Sequence, residues 1–218
     1  MMRKRNNEIM RTDELIHRLS NQAGIKTHAA MSFGRTVWAS LTLSTVAALL
    51  IVIGVSGLRP DLPTMLTAWP FQFKAAAMIL LAGGGVILVR AAGTPGMATS
   101  PLALLPGVLF LLAGALFDRS GIPPLGVRQL SAPICVGVIV AAALPGLIII
   151  QAGLRRGIPT RLAAAGAISG VLSGSLAALA YTVACVNDGA MFVAIWYVVA
   201  ISITTAIGAF TGRYVLAW

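Results

Sequence analysis

Six apolar runs, at residues 37–58, 71–89, 101–117, 133–151, 162–185 and 190–210, take up most of this 218-residue chain. A run of about 20 apolar residues is long enough to cross the hydrocarbon core of a bilayer. The run at 101–117 is the shortest. A spanning segment must satisfy its own backbone hydrogen bonds, and the runs lack the alternation that a lipid-facing β-barrel strand requires, so each is expected to be a helix. Composition agrees: 58% of the residues are hydrophobic and 10% charged, against roughly 25% charged in soluble domains. The expected architecture is an all-α membrane protein, with a short N-terminal tail at 1–35 and one six-helix bundle at 36–218.

The formal charge of +10 reads as topology rather than nucleic-acid binding, because Lys and Arg accumulate on the cytoplasmic side of membrane proteins. With the N-terminus inside, the cytoplasmic pieces hold Arg3, Lys4, Arg5, Arg11, Arg18, Lys26, Arg35, Arg90, Arg155, Arg156, Arg161 and Arg213. The outer side holds Arg59, Lys74, Arg119 and Arg128. Six spans then return the C-terminus to the cytoplasm. The first apolar run is too long for the core of a cleaved signal peptide, and no small-residue cleavage site follows it. Trp69 and Trp218 fall where interfacial anchors belong.

The tail opens with a basic leader, residues 1–9. Thr12 has the chemistry of an N-cap, with Asp13 and Glu14 at the positive end of a helix dipole. Leu15, Ile16 and Leu19 then share one face. The helix is expected to fade near Gly24, and it is too short to be stable alone in water. It therefore needs a surface: a partner groove, or the membrane itself.

The outer connections are 59–70, 118–132 and 186–189, and the inner ones 91–100 and 152–161; none is long enough for a domain. Gly93, Thr94, Pro95 and Gly96 make the first inner connection pliant. Leu105-Pro106-Gly107 and Leu144-Pro145-Gly146 place a Pro-Gly step inside two apolar runs, where each removes a backbone donor and permits a kink. Broken helices at matching places also occur in transporters. Gly166, Gly170, Gly174 and Ala178 recur every four residues, and Gly208 and Gly212 repeat the pattern. Small residues of this kind let membrane helices approach closely, either inside one chain or in a homodimer.

Groups that carry chemistry are few. No Asp, Glu or His lies in the middle of a run, which disfavours a proton-coupled carrier. Lys74, near the outer end of the second run, is expected to snorkel to the interface. No nucleotide loop, metal-binding His cluster or activated nucleophile is present, so neither an enzyme nor a bound cofactor is expected. His17 and His28 both lie in the tail. Cys135 and Cys185 both fall near the outer face, one at the start of the fourth run and one at the end of the fifth. A disulfide is chemically allowed in an oxidising compartment, paired thiolates also bind soft metals, and two small buried side chains would look the same in sequence.

Three segments carry a resemblance. Met10-Arg11-Thr12-Asp13-Glu14-Leu15-Ile16 is similar to the N-terminus of the NrsF-type anti-sigma factors, bacterial six-span inner-membrane proteins that restrain extracytoplasmic-function sigma factors. Tyr181-Thr182-Val183-Ala184-Cys185-Val186-Asn187-Asp188 followed by Phe192-Val193-Ala194-Ile195-Trp196-Tyr197 resembles the same family, as does the ending Gly208-x-Phe210-x-Gly212-Arg213. The resemblance runs from Met10 to Trp218 and implies translation from Met10. It also implies a function: a tail that docks on a sigma factor through Thr12, Asp13, Glu14, Leu15, Ile16 and Leu19, in a helix-in-groove mode. Cys135 and Cys185 would then sense periplasmic oxidant or metal stress and release that factor. His17 and Arg18 make the tail helix more basic than this role suggests. A small transporter or channel, or a subunit of a larger membrane assembly, is the alternative reading.

Overall fold

The computed structural model describes Glu14, Ile16, His17 and residues 27–217, apart from 119, 124 and 127–129 and the side chains of 27–32. Among the described residues it contains α-helices and one 3-10 segment, with no strand. In chain order these are α1 (Thr27–Ser56), the short α2 (Leu62–Met65), α3 (Trp69–Gly93), a 3-10 turn at Pro101–Leu104 leading into α4 (Leu105–Leu116), α5 (Ser131–Leu154), α6 (Leu162–Tyr181) and α7 (Ala190–Val215).

Five helices are long and apolar enough to cross a membrane: Phe33–Ser56 within α1, then α3, α5, α6 and α7. The apolar stretch Pro101–Leu116 is shorter. Its Leu105-Pro106-Gly107 step does not kink a helix. Pro106 sits in the first turn of α4, where its missing N–H costs nothing because that donor has no intrahelical partner. Gly107 instead lets α4 lie against Leu81 of α3. Pro145 does lie inside α5, and there Ser44 of α1 approaches the break, its hydroxyl donating to the Gly146 carbonyl at 3.4 Å.

The most extensive packing joins α6 to α7, followed by α1 to α5. The glycine series explains the first pair. A Cβ on Gly166 would strike the Gly208 carbonyl, one on Gly170 the Thr204 carbonyl, and one on Gly208 the Gly166 carbonyl. The two backbones touch where side chains are absent, so the small-residue stripe is spent inside the monomer. Thr204 Oγ1 donates across the seam to the Gly170 carbonyl at 3.1 Å. Gln151 of α5, also buried, donates to Gly208 O at 3.2 Å and Thr211 Oγ1 at 2.9 Å. Outward-facing Leu43, Leu50, Leu112, Leu116, Ile148 and Phe210 are exposed, as expected of helices whose solvent is lipid.

The bundle has two unlike ends. At one, Gly93 at the end of α3 accepts from the Ile158 N–H at 3.3 Å and packs on Phe33 near the start of α1. Arg35, Arg90, Arg155, Arg156, Arg161 and Arg213 lie towards this end, and all are exposed. At the other end the connections after α1, α4 and α6 converge. Asp118 accepts from the Ser120 N–H at 2.8 Å and the Met191 N–H at 2.7 Å. Gly126, at φ 91°, packs where a Cβ would meet Ser131, Phe192 and Asn187; only glycine fits both that φ and that space. The basic charge at this end takes a different form, because Arg59 and Lys74 are buried.

Candidate functional site

The cysteines lie at this second end. Cys135 is in the second turn of α5 and wholly buried; Cys185 follows α6 and is 3% exposed. The fifth apolar run, expected to be helical through residue 185, is shorter as a helix: α6 stops at Tyr181, and residues 182–184 form turns back onto Leu179, Ala180 and Tyr181. Those turns swing Cys185 off the helix axis and bring its thiol within interaction range of Cys135, while the Cys185 thiol donates to Asn187 O at 3.8 Å. Both are free thiols in this structure. Sequence placed them at one depth; the fold also brings them together laterally.

Directly beside the pair lies an ionic cluster. The Arg59 guanidinium grips Asp61 through Nε and Nη2, each at 2.8 Å, and reaches Asp188 through Nη1 and Nη2, each at 3.0 Å. Lys74 Nζ meets Asp188 Oδ1 at 2.6 Å. Arg59 Nη1 and Lys74 Nζ both donate to the Cys185 carbonyl, at 3.1 and 3.2 Å. The Arg59 N–H also donates to Val183 O at 3.1 Å. The turn that carries Cys185 is thus held by two cations, one from the segment after α1 and one from α3. Lys74 does not snorkel. Its side chain is 0% exposed and points into the bundle, because Asp188 and a carbonyl there satisfy the ammonium, which an apolar wall could not do.

The electrostatics follow from these contacts. Hydrogen bonds to Asp61 and Asp188 raise the Arg59 pKa further above its already high value. The Arg59 guanidinium holds Asp61 below the usual carboxylate range. Burial works against ionising Asp188, but the Arg59 hydrogen bonds and the Lys74 charge outweigh it and keep this carboxylate low as well. Asp118 is likewise lowered despite burial, by the backbone N–H groups of Met191 and Ser120. The Cys185 thiol is drawn down, first by its interaction with Cys135 and then, against burial, by the positive charge of Lys74. Tyr181 and Tyr197 close the site, with ring centroids 6.2 Å apart. The Tyr197 hydroxyl is fully buried without a formed hydrogen bond and interacts electrostatically with both thiols.

Among the described residues no group of three or more His, Cys, Asp or Glu side chains could hold a metal ion. The thiol pair itself can undergo two-electron oxidation, or offer two soft ligands. Of the tail residues, Glu14 and Ile16 are helical and exposed; Thr12, Asp13, Leu15 and Leu19 lie outside the described residues. Sequence reasoning missed the ionic cluster. The signal was present: a lysine in an apolar run, with Arg59, Asp61 and Asp188 at the same depth, asks for a partner.

An all-helical bundle with five helices able to cross a membrane, and a buried dithiol at one end, is the class of protein these observations define. The chain belongs to the NrsF family, described as negative regulator of sigma F, whose model matches residues 22–218. It is 28% identical over 218 residues to a probable anti-sigma-F factor NrsF of Azospira oryzae, covering 96% of this chain and all of that protein. It is 30% identical over 216 residues to the anti-sigma-F factor NrsF of Caulobacter vibrioides, with the same coverage. No solved structure matches the chain. The family resemblance read from the 181–197 and 208–213 segments is therefore correct, and the family is one of regulators rather than catalysts.

Proposed function

We propose that this chain is a membrane anti-sigma factor of the bacterial inner membrane. Its N-terminal segment sequesters an extracytoplasmic-function sigma factor on the cytoplasmic side, and chemistry at Cys135 and Cys185 on the periplasmic side releases it. Membership of a family of sigma F regulators supports the first half. The exposed arginines at the end from which the tail departs, against the buried and paired Arg59 and Lys74 at the cysteine end, favour that orientation.

The observation that carries the second half is the route from sulfur to tail. Cys185 is bonded through its carbonyl to Arg59, and Arg59 lies three residues beyond the end of α1. The other end of α1 leads into the tail. Oxidising the thiols to a disulfide, or binding a soft metal between them, moves the Cys185 turn, and with it the anchor of α1. Two bundle states biased by the thiols are enough for signalling. In the tail, Asp13 and Glu14 face basic sigma residues while Leu15, Ile16 and Leu19 fill an apolar groove.

Affinity purification of the full-length protein from membranes should recover a sigma factor, and removal of residues 1–26 should abolish recovery without preventing membrane insertion. Equal recovery with the truncated chain would refute tail docking. Loss of the protein should raise transcription of that sigma factor's targets.

A further inference from the structure

The two thiols are not equivalent. Cys185 forms part of the wall of an open cavity of about 540 Å³, lined also by Leu130, Ser131, Ile134, Tyr181, Val186 and Asn187; Cys135 does not reach it. Cys135 is sealed in the core with Phe192, Val193 and Tyr197. The described lining of the cavity is mostly apolar, with Ser131, Tyr181 and Asn187 its polar groups and no charged side chain, so an ionic reagent would find no counter-charge there to offset lost hydration. On the far side of the Cys185 turn, Lys74 and Arg59 hold positive charge close to its backbone.

We infer that Cys185 is the attacking thiol and Cys135 the resolving one, and that the reagent is an uncharged hydroperoxide entering through this cavity. The inference rests on reading the dithiol as the sensor, and adds the order of events and the class of oxidant. The Cys185 thiolate attacks one peroxide oxygen. An S–O bond forms, the O–O bond breaks, and the departing alkoxide takes up a proton to leave as ROH. Sulfur has lost two electrons to the peroxide and stands as a sulfenic acid. Cys135 gives up its proton and attacks that sulfur. The S–S bond forms, the S–O bond breaks, and hydroxide leaves with that proton as water. Lys74 acts as a positioning residue: its fixed charge favours the thiolate at Cys185.

The test uses the full-length protein in liposomes, exposed to cumene hydroperoxide with dimedone present and read by mass spectrometry. Cys135→Ser should carry the dimedone adduct at Cys185, at least about tenfold above the adduct at Cys135 in Cys185→Ser. Brief treatment of the unmutated protein with a neutral methanethiosulfonate should modify Cys185 before Cys135, and faster than the anionic sulfonatoethyl methanethiosulfonate does; this arm needs no variant to fold. Adduct at Cys135 first, equal rates, faster reaction with the anionic reagent, or no adduct with the hydroperoxide each overturn the inference. Sigma-dependent transcription in the same variants separates it from the reading beneath. If Cys135 reacts first yet both substitutions block induction, the order is wrong and sensing stands. If Cys185 leads and neither substitution changes induction, the order stands and sensing falls.

Discussion

Lys74 and Asp188, 114 positions apart in sequence, meet at 2.6 Å with the lysine wholly buried. Asp188 also takes both terminal nitrogens of Arg59, so one carboxylate bridges two cations from different elements. Removing it leaves the buried Lys74 without its carboxylate and Arg59 held by Asp61 alone. Asp188→Asn should therefore destabilise the bundle by about 3–5 kcal/mol, the usual cost of breaking a buried pair. Thermal unfolding in detergent, followed by tryptophan fluorescence, checks this; an unchanged midpoint would show that the clamp adds no stability.

Acid should undo the same clamp. The Asp188 carboxyl is held below its ordinary value, so its contribution to stability is complete above the unfolded-state value of about 4. It fades as pH falls through the lower, folded-state value. The unfolding midpoint should be flat from neutral pH to about 5 and drop below about 4. In Asp188→Asn that part of the acid sensitivity should be missing. A drop of the same size in both proteins would place the effect elsewhere.

At Cys185 the sign is set by the thiolate. Its pKa is lowered, so alkylation should rise with pH at values below those of an ordinary thiol, about 8.5. Lys74→Met removes the neighbouring charge and should move that profile to higher pH, while Lys74→Arg restores it. A purely structural role would change the amount of folded protein and leave the pH midpoint where it was.

The seam between α6 and α7 makes a fourth demand. Gly166→Ala puts a methyl group against the Gly208 carbonyl and close to Gly212 Cα, where backbone rather than a side-chain tip must give way. The expected cost is about 1–3 kcal/mol, read from the same melting curves. Gly137→Ala, on α5 with open space around its Cβ position, should lie within the error of the unmutated protein.

Much of this molecule was legible in its sequence, because lipid imposes a simple grammar. The apolar runs marked the helices, and the Gly166–Gly170–Gly174 period marked the α6–α7 seam. Periodicity lost accuracy where the chain leaves the bilayer. The fifth run looks apolar through Cys185, yet α6 ends at Tyr181 because turns back onto Leu179, Ala180 and Tyr181 take over its last hydrogen bonds. Pro106 looked like an interior break because hydropathy does not register the 3-10 turn before it. Lys74 looks like a lysine that snorkels to the interface because its partner, Asp188, lies on a connection more than a hundred residues away. The thiol pair was half legible: depth follows from topology, whereas lateral contact depends on which helices are neighbours.

In the function proposed above, chemistry at the buried dithiol controls a sigma factor held at the opposite end of the bundle. Co-purification of the sigma factor with full-length protein from cells, before and after oxidant exposure, reads that coupling without an intermediate step. The unmutated protein should lose its sigma factor on exposure, and Cys135→Ser and Cys185→Ser should both keep it. Release from both variants to the same extent as from the unmutated protein would show that the thiols do not control the sigma factor.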